Sequence, residues 1–127
     1  MLHCRDAYDE VLEILKNYPK AKGNCHFFAG NVEQAKKFLN LGFTMSFTGV
    51  ITFTHDYDEV IKFIPVTSIV SETDAPFVAP APYRGKRNEP TFVLEIVKGI
   101  AEIKQENEEA LREQMILNAK RVFELTN

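Results

Sequence analysis

Apolar residues return along this chain in two rhythms that take turns. From Asp6 to Asn17, Ala7, Val11, Leu12 and Leu15 recur at helical spacing, and Tyr18-Pro19 stops the run. Gly23 then introduces a short strand, "NCHFFAG". The next stretch, "NVEQAKKFLNLG", predicts a second helix: Asn31 is a good N-cap with Gln34 three residues on, Val32, Ala35, Phe38 and Leu39 share a face, and Gly42 suits the C-cap. In "FTMSFTGVITF" the period changes to two. Phe43, Met45, Phe47, Gly49, Ile51 and Phe53 alternate with Thr44, Ser46, Thr48, Val50 and Thr52, which predicts a strand, with a turn at Gly49–Thr52 closing its unit. A short helix near Asp56–Phe63 follows, then a strand in "SIVSETDA". A proline-rich loop, "PFVAPAPYRGKRNEP", leads into a long helix with Val93, Ile96, Val97, Ile100 and Ala101 on one face. The last helix carries Leu111, Met115, Ala119, Val122 and Phe123.

Strands that alternate with helices imply an α/β domain with a parallel sheet, because parallel neighbours need a crossover connection. No linker or low-complexity stretch divides residues 1–127, so a single domain is expected. The spacing of polar groups follows the same rhythm. His26 follows His3 by about one strand–helix unit, and Asp74 follows His26 by about two. In parallel α/β folds the C-terminal strand ends face one way and active sites are built there. The spacing therefore brings His3, His26 and Asp74 toward one rim.

Composition narrows the function classes. The chain has 45% apolar and 26% charged residues, with a net charge of −3, which excludes a generally basic nucleic-acid-binding coat but not a local basic loop. Its apolar runs fall well short of the roughly 20 residues of a membrane span, and the N-terminus shows no signal-peptide pattern. Two cysteines, Cys4 and Cys25, are too few for a disulfide scaffold and read as reduced thiols. A soluble cytoplasmic protein is expected.

Two histidines and an aspartate suit zinc, manganese or a similar divalent ion. Each has an ordinary alternative: a histidine hydrogen-bonded to backbone, or an aspartate capping the turn before Ala75-Pro76. Glu72 and Asp74 straddle Thr73, so on an extended strand both point to one side, where a cation would relieve their repulsion. "YRGKRNEP" sets Arg84, Lys86 and Arg87 before Asn88, which reads as an N-cap with Glu89 and Pro90 in the first turn. Such a loop suits phosphate, although a solvated charged loop has the same composition. Arg5 lies beside His3 and joins Arg84 and Arg87 as a candidate contact to an anionic substrate. His55 sits at a probable helix start and reads as a surface group. Cys4 and Cys25 fall on the opposite side of each strand from the adjacent histidines and read as packing residues.

The stretches "HCRDAYDEVLEIL", "HFFAG", "GFTMSFTGVITF", "SETDAPFVAPAPYRGKRNEP" and "NAKRVFEL" resemble, in order and over essentially the whole chain, the TatD-like deoxyribonucleases of the metal-dependent hydrolase superfamily. The resemblance implies a (β/α)8 barrel, a divalent-metal centre (Mg, Mn or Zn) and hydrolysis of DNA phosphodiesters. It implies that His3 and His26 are metal ligands ending the fifth and sixth strands, that Asp74 is the ligand and acid/base ending the eighth, and that the Arg84–Asn88 loop belongs to the substrate-facing rim. The family's His-x-His strand and the bridging glutamate of its fourth strand have no counterpart here, and "HFFAG" replaces the more usual His-Cys-Phe-Ser-Gly. A barrel of this kind has about 250 residues. The expectation is thus the C-terminal half of the barrel, units five to eight, truncated inside the fifth strand. Such a half would self-associate or pair with a separate N-terminal half, and act on DNA when completed. The alternative is an inactive half-barrel or assembly module with residual metal or phosphate binding.

Overall fold

Residues 1–126 are described by a computed structural model of the chain. Four short strands, β1 (Leu2–His3), β2 (Asn24–His26), β3 (Thr44–Phe47) and β4 (Ile69–Ser71), pair in sequence order, and every pairing is parallel. Helices α1 (Tyr8–Leu15), α2 (Val32–Asn40) and α3 (Asp58–Phe63) make the crossovers. Helices α4 (Val93–Lys104) and α5 (Glu108–Val122) complete the layer. The expected α/β class with a parallel sheet is the observed one.

Alternation along each strand separates two environments. Cys25, Met45, Phe47 and Ile69 enter the apolar core under the helices. There Tyr8, Phe28, Phe38, Phe43 and Phe47 meet largely edge to face, with Tyr8 and Phe28 centroids 5.1 Å apart. The intervening residues Asn24, Thr44 and Ser46 are also buried, yet polar, and they hydrogen-bond to one another on the other face. A strand buried on both faces is what a parallel sheet requires.

Local signals fix several boundaries. The Asn31 side chain accepts from the Gln34 N–H while Gln34 returns a bond to the Asn31 N–H, and Gly42 follows α2 with φ +79°. The strand expected over Phe43–Phe53, by contrast, stops at Phe47. Gly49–Thr52 form a 3-10 turn in which Thr52 Oγ1 donates to the Gly49 carbonyl at 2.6 Å and accepts the Ala81 N–H at 2.8 Å. The loop after β4 lies so close that a Cβ on Gly49 would overlap the Val78 carbonyl and Pro80. This long-range contact ends the strand, and no period-two pattern can reveal it.

Two side chains from the last helices donate to carbonyls of α3 and of the segment that leaves it. Lys104 donates to Ile61 O at 2.9 Å and Ile64 O at 2.7 Å, and its burial lowers its pKa. Asn118, fully buried, donates to Val66 O at 2.7 Å and Ile69 O at 2.8 Å, tying α5 to the start of β4. Asn118→Leu keeps the volume but removes both buried bonds, leaving Val66 O with the Ile69 N–H. It should lower the urea-unfolding free energy by roughly 2–4 kcal/mol.

Burial pushes Cys25 from its ordinary 9.0 up to about 12, and Tyr8 from 10.0 up to about 12. Both groups are therefore held neutral by the fold. Their contribution to stability is complete below pH 9.0 and is lost as the pH rises toward about 12, because only the unfolded chain releases these protons in that window. Denaturation midpoints should accordingly fall above pH 9.0, less steeply in Cys25→Ala, and the native thiol should resist Ellman's reagent.

Candidate metal centre at the strand ends

Parallel pairing with His3 opposite His26 puts the C-terminal strand ends on one rim. At that rim the chain leaves its strands through unusual backbone. Asp6 (φ 53°), Phe27 (φ 47°), Asp74 (φ 57°) and Val78 (φ 53°) all occupy the left-handed region. Aspartate tolerates it, but a phenylalanine and a β-branched valine do so only when their surroundings over-determine the conformation. A cleft of about 550 Å³ opens among them, lined by His3, Arg5, Tyr8, His26, Tyr57 and Asp74.

His26 is the centre of the arrangement. Its Nδ1 is paired with Glu72 Oε2, and its Nε2 stands 3.4 Å from Asp74 Oδ1. All three side chains are largely buried, with His26 at 17%, Glu72 at 16% and Asp74 at 29% side-chain exposure. The other Glu72 oxygen accepts from the Phe27 N–H at 2.7 Å and from the Ser46 hydroxyl at 2.5 Å. Among the described residues, only His26, Glu72 and Asp74 bring three donor atoms within 4.8 Å of one another.

The expected trio is thus partly rearranged. His26 and Asp74 converge as their spacing implies. His3 stands beside them, exposed, its ring 5.7 Å from that of His26 and tilted by 36°. Glu72 and Asp74 do not share one face of an extended strand, because β4 ends at Ser71 and Asp74 has a positive φ. Both carboxylates approach His26, Glu72 at Nδ1 and Asp74 at Nε2, and an oxygen of each lies within 4.8 Å of the other.

The loop from Thr73 to Glu89 also differs from its sequence reading. Asn88 is not an N-cap: a 3-10 turn begins at Pro90 and α4 at Val93. Instead Asn88 is buried and donates through Nδ2 to Thr73 O at 2.7 Å and Phe77 O at 2.6 Å, while its Oδ1 accepts the Glu89 N–H at 2.9 Å. It clamps the segment that carries Asp74. Arg84 lies 3.9 Å over the Phe53 ring and donates to Ala79 O at 3.0 Å, which holds the loop and leaves it outside the cleft lining. Arg87 is exposed and likewise outside that lining, whereas Arg5 lines it. A groove of about 580 Å³ between α3 and α4 is slightly larger than the cleft. It holds the His55–Asp58 pair, 3.1 Å apart, but no trio of metal donors.

Sequence reasoning did not find the residues behind Glu72. Asn24, Thr44 and Ser46 occupy the polar phase of their strands, and polar residues at positions expected to be interior were the available signal. The front of the site fits a divalent ion. For bonds of ~2.1 Å, two ligands at adjacent corners of a tetrahedron lie about 3.4 Å apart. That is the separation of His26 Nε2 and Asp74 Oδ1, and it is longer than a good hydrogen bond. Imidazole and carboxylate donors suit zinc or manganese.

Comparison with known proteins identifies the family. A family model described as TatD related DNase matches residues 1–124. Over 129 aligned positions the chain is 39% identical to YabD of Bacillus subtilis, an uncharacterized metal-dependent hydrolase, covering 98% of this chain and 51% of that protein. It is 33% identical to YcfH of Escherichia coli K12, also an uncharacterized metal-dependent hydrolase, covering 98% and 49%. The crystal structure of YJJV, a TatD homologue from Escherichia coli K12, superposes with a TM-score of 0.89 at 26% identity, covering 98% of this chain and 49% of that one. A hydrolase TatD family protein from Entamoeba histolytica shares the fold, with a TM-score of 0.84 at 23% identity, covering 94% and 48%. The chain therefore spans about half the length of the relatives it matches. With the family model matched from the first residue through α5, this chain belongs to the TatD-related DNase family.

Proposed function

We propose that this chain supplies the last four strand–helix units of a metal-dependent phosphodiesterase that acts on DNA. The observation that carries the proposal is the pairing of His26 Nε2 with Asp74 Oδ1 at ligand–ligand distance, on a rim where His3 stands alongside. The names of its relatives as metal-dependent hydrolases support it.

In this reading His26 and Asp74 hold a divalent ion, and His3 joins them from the exposed side of the cleft. When bound, the ion supplies positive charge for the phosphate oxygens and activates water toward phosphorus. The chain's own residues do the rest. Asp74 offers a second carboxylate oxygen within a partly water-excluded cleft, placed to take and return a proton. Arg5 on the cleft wall is placed to attract the anionic backbone. The remaining ligands expected of the family lie outside this sequence, so full turnover requires their arrival from an N-terminal half or a second chain.

Two measurements test the reading. Titration of Mn²⁺ or Zn²⁺ into the chain should give saturable binding that His26→Ala and Asp74→Asn weaken by roughly 10–100-fold, while His55→Ala, on the outer groove, leaves it unchanged. Hydrolysis of single-stranded DNA, with or without a supplied N-terminal half from a relative, should require the ion, stop with chelator, and be absent in Asp74→Asn. Arg5→Ala should raise KM with little effect on kcat. Saturable metal binding with no hydrolysis under either condition would identify the chain as a binding module, and absence of both would overturn the proposal.

A further inference from the structure

Phe27 and Phe28 are neighbours in the chain and part company in the fold. Phe28 is 1% exposed and belongs to the apolar core. Phe27 is half-buried, stands outside that core and lines the cleft beside His26. Strand alternation does not produce this arrangement. His26 lines the cleft, so the next side chain would fall on the helix side, as Cys25 does. Phe27 instead takes a left-handed backbone, with φ 47°, and two consecutive side chains share the cleft wall. Two bonds hold the turn. The Phe27 N–H donates to Glu72 Oε1 at 2.7 Å, and the Phe28 N–H donates to Ser46 O at 2.9 Å.

A left-handed backbone is unfavourable for a large side chain, whereas glycine would hold the same turn and keep both backbone bonds. The turn therefore does not call for a phenylalanine, and neither does the core. What the side chain adds is an aromatic ring in the cleft wall. That ring stands 6.2 Å from the His26 ring and nearly perpendicular to it, at 82°. Arg5 and the His26–Asp74 pair line the same cleft, and Val78 adds a second apolar side chain. One cleft thus offers groups suited to a phosphate and, beside them, a flat apolar ring. A nucleotide has the same two parts, an anionic phosphodiester and a flat base. We infer that Phe27 is a substrate contact, its ring stacking on the base of the nucleotide whose phosphate lies at His26 and Asp74.

This assignment rests on the reading of the cleft as a site for DNA phosphodiesters and adds the contact that holds the base. Every base has a π-face, so stacking on phenylalanine orients the nucleotide without selecting its sequence. The hydrogen-bonding edge of the base is not read by such a ring. The residue next to His26 in the chain would then fix how the strand lies across the ion site.

The test compares two single-stranded DNA oligonucleotides of equal length, one carrying bases and one abasic throughout. Each is titrated into the Mn²⁺-loaded chain and binding is read by fluorescence anisotropy. The wild type should bind the base-bearing strand more tightly, on the order of 5–50-fold, as expected for one base–aromatic stack. Phe27→Leu keeps an apolar side chain but loses the aromatic face. It should remove most of that preference while abasic binding and Mn²⁺ affinity stay unchanged, and Phe27→Trp should retain the preference. Arg5→Ala should weaken both strands alike. Phe27→Gly should lose the preference with a urea midpoint equal to or above that of the wild type, because it relieves the left-handed backbone. A markedly lower midpoint in Phe27→Gly would assign the ring to packing and overturn the inference. Binding of both strands without preference, or a preference that survives in Phe27→Leu or Phe27→Gly, would overturn it and leave the DNA reading standing. Binding of neither strand would overturn both.

Discussion

Three strand ends depend on one carboxylate. Glu72 follows β4, receives the Ser46 hydroxyl from β3 and the Phe27 amide from the exit of β2, and sits against the His26 ring. Burying a carboxyl group is costly unless its oxygens find donors, and here those donors come from two neighbouring strands at once. The requirement couples register to chemistry. A slip of one residue in either pairing would turn Ser46 or His26 to the helix side, and the carboxylate would lose its partners. The sheet is short, at most four residues per strand, and this polar junction supplies a specificity of alignment that so few ladder bonds supply weakly.

The opposite face of the same strands obeys simpler rules. Cys25, Met45 and Phe47 join an apolar cluster held by non-directional packing, whereas the polar face is held by directed hydrogen bonds. Left-handed backbone occurs after α4 and α5, at Gln105 and Glu124, and is most frequent at the rim. The left-handed residues Phe27, Asp74 and Val78 all lie at the rim, and the Asn88 clamp holds the segment in which two of them occur. The helices provide bulk stability, while the rim concentrates its constraints where side chains must be aimed.

What the sequence disclosed follows from the range of the interactions involved. Helix α2 was readable to its caps because Asn31, Gln34 and Gly42 act within four residues of the backbone they satisfy. The meeting of His26 and Asp74 was readable because strand–helix units have a regular length and parallel strands end together. Beyond that, the outcome turned on contacts between distant segments. The end of β3 is set by the loop at Val78. Asn88 was drawn from a helix cap to three loop carbonyls, and Arg84 from the rim to Phe53. Glu72 drew notice only as a neighbour of Asp74, since its partners lie on other strands and one is a backbone N–H that leaves no trace in residue type. The family motifs carried the fold and the metal chemistry, and left these supporting contacts unstated.

Gly49 gives the rim an unexpected point of vulnerability. It offers no donor and no charge, and its backbone is not left-handed, yet the Asp74 loop rests directly on its hydrogen atoms. For a protein engineer who wants a library that reshapes the cleft, Val78 is the one residue of the loop from Phe77 to Arg87 in its lining. Position 49 should stay out of such a library. Any side chain there would lift the loop as a lid is lifted by a grain of sand under its hinge, and the variant would look like a failed active site although every reactive group was intact.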